Sequence, residues 1–139
     1  MSRKMIHIIA LNLTLFVASA LTALCVAPVG SEACDLTIQI DVAPNVLNIN
    51  NQGEVVTVHT NIAYGAVVGS TVYLNGVSIK SWKYDNRGNF VAKFNMAAIK
   101  DLPLDIGEYN TLELRGETTS GETFCGAQEI LVVDKGPKK

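Results

Sequence analysis

The sequence predicts an all-β sandwich of about seven strands that follows a signal peptide. Apolar and polar residues alternate with a period of two through most of residues 34–135, as in strands that place one face on a core. Turn-forming Gly, Asn and Pro residues separate these runs. An apolar segment opens the chain, and the length that remains suits one domain.

Residues 1–33 have the three parts of a signal peptide. A short basic start precedes an apolar run, and the small residues Ser31 and Ala33 stand where a signal peptidase cleaves. We predict cleavage after Ala33 and a secreted, periplasmic or extracellular location. The alternative is an uncleaved membrane anchor, because residues 8–29 are nearly long enough to span a bilayer.

Cleavage would leave 106 residues (139 − 33), a usual size for one sandwich. The predicted domain covers residues 34–135, and a polar tail covers residues 136–139. The exported form would carry 9 basic residues (11 − 2) and 12 acidic residues (13 − 1), a formal charge of −3. No basic stripe remains for nucleic acid, and we expect no membrane contact after the leader is removed.

Two cysteines, Cys34 and Cys125, follow the predicted cleavage site. An even pair in an oxidising compartment predicts a disulfide. Each cysteine stands just before a strand-like run, so both would arrive at the same end of the domain if the two strands run parallel and side by side. A lipid-anchored cysteine is the competing interpretation, but Leu24 before Cys25 and Glu32 near Cys34 fit a lipoprotein cleavage box poorly.

The strands follow in chain order from the positions of apolar residues. We predict strands over residues 36–42 and 54–62, then a hairpin, and a further strand over residues 89–95. One helical turn near residues 97–102 precedes two last strands within residues 109–133. The predicted core-facing residues are Leu36, Ile38, Ile40, Val42, Val56, Val58, Ile62, Phe90, Ala92, Phe94 and Met96.

The hairpin has the clearest local signal. The dipeptide Asn75-Gly76 stands between two alternating runs, and a two-residue type I′ turn needs residues that accept positive φ at both positions. In that register Leu74 pairs with Val77 on the inner side, and Tyr73 lies on the outer side.

The last predicted strand, residues 129–133, is apolar on both faces. A loop within the monomer would cover its outer face, or the strand would meet another subunit or a donated strand, because unpaired apolar edges invite strand addition.

These segments resemble a β-sandwich module of secreted bacterial and archaeal proteins. The resemblance rests on residues 40–60, with their Pro-Asn turn and Val-rich strand, on residues 72–79, and on the glycine rhythm of residues 112–132. The chain is also similar to bacterial immunoglobulin-like domains. The resemblance implies an immunoglobulin-like antiparallel sandwich that serves as a structural, adhesive or interaction unit and has no shared active site.

In that module the stretch that matches residues 84–90 is often an acidic Asp-x-Asp-Gly-Asp run. A calcium loop would take ligands at alternate positions, here Asp85, Arg87 and Asn89. Because Arg87 is a cation, we interpret the stretch as a hairpin turn and predict neither a metal site nor a cofactor.

Residues for catalysis are few. The sequence has no Gly-rich phosphate loop, no paired-cysteine metal site and no nucleophile elbow. His59 is the one histidine after the predicted leader, and we place it on an outer strand face. A hydrolase would need two carboxylates across a cleft, and its candidates are Glu108, Glu113, Glu117 and Glu122. We interpret these glutamates as surface charge and expect no enzymatic activity.

Tyr73, Trp82 and Tyr84 are the predicted contacts for a ligand or partner, because Tyr and Trp dominate binding hot spots. Two registers compete. Counting forward from the hairpin exposes Trp82, whereas counting back from the next turn pairs Trp82 with Ala92 and Tyr84 with Phe90. We prefer the second register, which directs both aromatic residues inward and gives the domain's tryptophan a core position.

We therefore expect an exported, non-enzymatic structural or protein-interaction module at the cell surface or in the extracellular matrix. The expected partner is an extracellular or surface protein, or a second copy bound through the last strand. The alternative function is carbohydrate binding through the exposed aromatic residues.

Overall fold

The computed structural model describes residues 33–136. The predicted signal peptide and its membrane-anchor alternative fall on residues that lie outside this range, except for Ala33 at the predicted cleavage site. Within the described range the strands are β1 (Leu36–Thr37), β2 (Ile40–Ala43), β3 (Val46–Asn48), β4 (Val55–Ala63), β5 (Val67–Leu74), β6 (Val77–Ser78), β7 (Ser81–Tyr84), β8 (Asn89–Asn95), β9 (Tyr109–Thr118) and β10 (Thr123–Val133). Helix α1 spans Met96–Lys100, and a 3-10 helix spans Tyr64–Ala66.

Two sheets confirm the predicted all-β sandwich. Sheet I has the strand order β1-β10-β9-β5-β6, and β3 also pairs with β10. Sheet II has the order β2-β4-β8-β7. The described range has ten strands, against about seven predicted. β1 and β2 divide the first predicted strand, β6 is the second arm of the predicted hairpin, and β3 was not predicted. Neighbours are antiparallel except that β1 and β3 run parallel to β10.

The first predicted strand divides between the sheets. Its start, β1, pairs with β10 in sheet I, and its continuation, β2, pairs with β4 in sheet II. Gly126 of β10 permits this crossing, because a Cβ there would lie 2.7 Å from the carbonyl oxygen of Ile38. Leu36 is exposed rather than core-facing, since it lies in the two-residue edge strand β1.

One apolar core fills the space between the sheets. Its largest members are Phe90, Phe94 and Phe124, which are fully buried. Every residue predicted for the inner faces of β4 and β8 is buried. Burial alternates along β4, whereas in β8 the outward-facing Val91 is buried as well. The predicted helical turn is confirmed as α1, with bounds one to two residues earlier, and the Asn95 side chain caps it by accepting the N–H of Ala97 at 3.0 Å.

The predicted hairpin joins β5 to β6. Asn75 has φ 48° and Gly76 has φ 85°, and Leu74 pairs with Val77 as predicted. The Asn75 side chain also hydrogen-bonds to β9, which the turn geometry does not require. Its Oδ1 accepts the N–H of Glu113 at 2.7 Å and its Nδ2 donates to the carbonyl of Thr111 at 3.1 Å, which ties the hairpin to β9.

We predict that Asn75→Gly keeps the turn but loosens its attachment to β9. Glycine accepts the positive φ, so the loss of two exposed hydrogen bonds should lower the free energy of unfolding by about 1 to 2 kcal/mol. Asn75→Ala should cost roughly 1 kcal/mol more, because alanine is strained at positive φ. Urea unfolding of both variants measures these changes, and wild-type stability of Asn75→Gly would show that the side-chain bonds contribute nothing.

The last strand, β10, lies inside sheet I. It pairs with β9 along one side, and with β1 and β3 on the other. Ile130 and Val132 are buried, whereas Leu131 and Val133 are partly exposed on the outer face. Strand addition at β10 needs a free edge, and β3 occupies that edge beside residues 131–133. The outer face of these residues keeps part of its exposure, so the loop covering predicted for it is not complete.

Cys34 and Cys125 form a disulfide in the structure, with Cα atoms 6.0 Å apart. The geometry on which this pairing was predicted is also present. Strand β1 runs parallel to β10, and Thr37 pairs with Cys125.

Candidate functional site

Trp82 and Tyr84 lie in β7, the edge strand of sheet II. The preferred register is confirmed, because Trp82 pairs with Ala92 and Tyr84 with Phe90. Ala92 and Phe90 are fully buried, yet Trp82 is 40% exposed and Tyr84 is 67% exposed. The predicted core position of Trp82 is therefore wrong. An inward direction leaves a side chain partly exposed where the strand forms the edge of the sandwich.

The Trp82 ring lies against Gly69 of β5, in the opposite sheet. A Cβ added at Gly69 would lie 2.2 Å from Trp82 Cε2, closer than any real contact. Gly69 falls where the pairing between β5 and β9 is irregular, between Val68 and Tyr73. The ring thus bridges the two sheets at their open edge. Sequence reasoning missed Gly69, although a glycine inside a strand often marks a close approach.

Tyr84 meets a second tyrosine that sequence reasoning also missed. Tyr64, in the 3-10 helix, makes an edge-on contact with Tyr84, with ring centroids 5.4 Å apart and planes at 77°. Tyr64 also approaches Phe90, at 6.3 Å. Such edge-on pairs are favourable arrangements of aromatic rings. The open edge therefore carries an aromatic cluster, which we define as Tyr64, Trp82 and Tyr84.

Tyr73 lies apart from this cluster. It is on the outer face of sheet I, 45% exposed, and pairs across the strands with Ser78 and Arg115. Trp82 and Tyr84 face the inner side of sheet II. The three predicted contact residues therefore occupy two different surfaces, and only the pair from β7 belongs to one.

The stretch between β7 and β8 is a hairpin turn, as interpreted from Arg87. Asp85 Oδ1 accepts the N–H groups of Arg87 at 2.8 Å and Asn89 at 2.9 Å. Gly88 takes φ 83°. The backbone hydrogen bond from Asn89, followed by the bond and charge of Arg87, lowers the pKa of Asp85 below its ordinary value of 3.8. Residues 33–136 contain no group of three or more His, Cys, Asp or Glu residues placed to hold a metal ion.

A cleft of about 520 Å³ adjoins this turn on the outer side of sheet II. His59 pairs with Asp41 across β4 and β2, on the outer face where the sequence placed it. The cleft presents two carboxylates, Asp41 and Asp85, one guanidinium, Arg87, and several neutral polar side chains that can donate or accept hydrogen bonds. Its lining is Gln39, Ile40, Asp41, His59, Thr60, Asn61, Asp85, Asn86, Arg87 and Asn89.

The candidate hydrolase glutamates are spread along β9. Glu113 and Glu117 lie on the outer face of sheet I, where Glu113 Oε2 is 3.2 Å from the Arg115 guanidinium. Glu108 precedes the strand and Glu122 follows it, so these two lie beyond opposite ends of β9. This arrangement brings no pair of the four together across a cleft.

An apolar row crosses the outer face of sheet I. Val46 of β3 pairs with Leu131 of β10, which in turn pairs with Tyr109 of β9. Val46 is 48% exposed and Tyr109 is 67% exposed. Sequence reasoning singled out Leu131 through the apolar last strand, but it missed Val46 and Tyr109, because their neighbours depend on sheet order.

Comparisons with protein-family models, with curated proteins and with solved structures find no match to this chain. In the part of the chain from residue 33 to residue 136, no helix is long and apolar enough to cross a membrane.

We predict that Gly69→Ala displaces the Trp82 ring and destabilises the fold. A methyl group placed inside the ring's position forces a shift of strand or side chain, which should cost about 1 to 3 kcal/mol. Gly65→Ala is the matched control, because a Cβ at Gly65 meets nothing within 4 Å. Urea unfolding gives the stability, and Trp82 emission should shift to longer wavelength in Gly69→Ala alone. Identical behaviour of the two variants would contradict the bridging role.

We predict that Asp85 titrates below pH 3.8 in the folded protein. Because its pKa is lowered on folding, the carboxylate stabilises the fold above its unfolded pKa. This contribution is lost as the pH falls through the lower folded pKa. Amide NMR shifts of Arg87 and Asn89 report the titration, and Asp85→Asn should abolish it. A midpoint at or above 3.8 would show that the turn does not favour the charged form.

Proposed function

We propose that this domain is an exported, non-enzymatic interaction module with an immunoglobulin-like sandwich, of the kind found in secreted bacterial and archaeal proteins. Its working place is the cell surface or the extracellular matrix. The division of the first strand between two sheets and its parallel pairing with the last strand support this type of sandwich. The Cys34–Cys125 disulfide supports an oxidising compartment.

The apolar row Val46–Leu131–Tyr109 is the observation that carries the interaction role. Three neighbouring strands present two aliphatic side chains and a tyrosine side by side on an open sheet face. The next row is polar, with Glu129 paired to Thr111. An exposed apolar centre with a polar border is the composition of protein-binding surfaces, and tyrosine is enriched among the residues that dominate binding.

Site-specific photocrosslinking tests this role. A photoreactive side chain at position 109, in the protein expressed in its own cells, should yield crosslinks to a surface protein or to a second copy. The matched control is position 54, because Glu54 is exposed and lies off the strands of both sheets. Crosslinks at 109 that exceed those at 54 support the proposal, and equal or absent crosslinks at both positions overturn it.

A variant gives the complementary measurement. Tyr109→Ala combined with Val46→Ser removes exposed apolar groups, so the fold should keep its thermal stability to within a few degrees. Binding of the crosslinked partner should weaken by about tenfold or more. Full binding by the double variant would show that the apolar row is not the contact.

Carbohydrate binding is the second candidate, and the exposure of Trp82 and Tyr84 favours it. Trp82 is the chain's one tryptophan, so its emission reports the cluster directly. Addition of a soluble polysaccharide should change that emission and protect the ring from acrylamide, and Tyr84→Ala should reduce the effect. Unchanged quenching across a panel of polysaccharides would remove this candidate.

A further inference from the structure

The two outer faces of the sandwich carry opposite charge. On the described strands of sheet I, the acidic side chains Glu113, Glu117 and Glu129 all point outward. The one basic residue on these strands is Arg115, and its guanidinium is paired with Glu113 at 3.2 Å. The outer face of sheet I therefore has a net negative charge, with Glu117 and Glu129 exposed on it.

Sheet II shows the reverse balance. Lys83 of β7 and Lys93 of β8 point outward, since each alternates with inward-facing residues. The same face carries His59 and one acidic residue, Asp41, which are opposite each other in the register of β4 and β2. Over the described strands of sheet II, two lysines therefore outnumber one aspartate.

The two outer faces also differ in the size of their side chains. One row of sheet II pairs Ala43, Thr57, Lys93 and Ser81 across all four strands. Ala43, Thr57 and Ser81 are small, and Lys93 lies between Thr57 and Ser81, so another surface can approach most closely at Ala43 and Thr57. Sheet I presents the protruding apolar row Val46–Leu131–Tyr109, and sheets that pack face to face lie about 10 Å apart. The apolar row can therefore lie over Ala43 and Thr57 while Lys93 and Lys83 meet glutamates.

We propose that sheet I of one copy binds sheet II of the next, so that the exported protein builds a head-to-tail stack of sandwiches. This proposal rests on the interaction role proposed above and names its partner as a second copy. Like faces would place glutamate against glutamate or lysine against lysine, which disfavours the two symmetric dimers. Because the complementary faces lie on opposite sides of one domain, each added copy leaves a free face at both ends, and the assembly stays open.

Sedimentation of the exported protein at low and high salt tests the stack. Species larger than a monomer should form at about 20 mM salt and dissociate at about 500 mM, because salt screens charges across an exposed interface. Glu117→Gln with Glu129→Gln neutralises the sheet I face, and Lys83→Gln with Lys93→Gln neutralises the sheet II face. The association constant of each double variant alone should fall by about tenfold or more relative to the wild type.

Mixing the two variants distinguishes a head-to-tail interface from a symmetric one. One variant keeps its sheet II face and the other keeps its sheet I face, so an equimolar mixture should form dimers of one copy of each and should stop at that size. A symmetric interface would leave one of the variants assembling as the wild type, which overturns the proposal. Glu54→Gln with Lys135→Gln is the control, since both residues lie off the sheet strands, and it should assemble normally.

The outcomes separate this proposal from the interaction role on which it rests. A protein that is monomeric at every salt concentration but still crosslinks from position 109 to another surface protein refutes the stack and retains the interaction role. A monomer without crosslinks refutes both. Assembly that is insensitive to salt and to both charge variants refutes the charged interface. Circular dichroism and thermal melts of each variant show whether the fold is intact.

Discussion

The sandwich depends on the position of β10 between strands from both ends of the chain. Backbone hydrogen bonds join it to β9 on one side and to β1 and β3 on the other. Phe124, Ile130 and Val132 extend from it into the core. The Gln128 side chain reaches the opposite sheet, where its Oε1 accepts the N–H of Val42 at 2.6 Å. Since Val42 lies in the edge strand β2, this bond satisfies a donor that no neighbouring strand of sheet II can reach.

At the opposite edge of the sandwich, side-chain packing rather than strand pairing joins the two sheets. Sheet I ends there in the two-residue strand β6, and sheet II ends in β7. The Trp82 ring fills the gap by lying on the backbone of Gly69. The same position leaves part of the ring in contact with solvent, so one residue both joins the sheets and contributes to the aromatic cluster. A change at Gly69 would therefore move a ring that also faces solvent.

Much of the fold followed from local patterns. Period-two alternation identified the buried residues of β4 and β8, and the dipeptide Asn75-Gly76 identified the hairpin and its register, because these patterns depend on neighbours close in sequence. The preferred pairing of Trp82 with Ala92 was also correct. Its predicted burial failed for a physical reason. Alternation gives the direction of a side chain, whereas burial depends on whether another strand lies beside it, and β7 has a neighbour on one side alone.

The sequence by itself determined the all-β class, the pairing of Cys34 with Cys125, and the turn at Asp85, since each depends on spacing or on residue type. The tertiary structure alone decided the division of the first strand, the contact of Trp82 with Gly69, and the row Val46–Leu131–Tyr109. It also decided which charges share a face. These features join segments far apart in the chain, and their positions follow from the order of strands within each sheet, which local alternation does not specify.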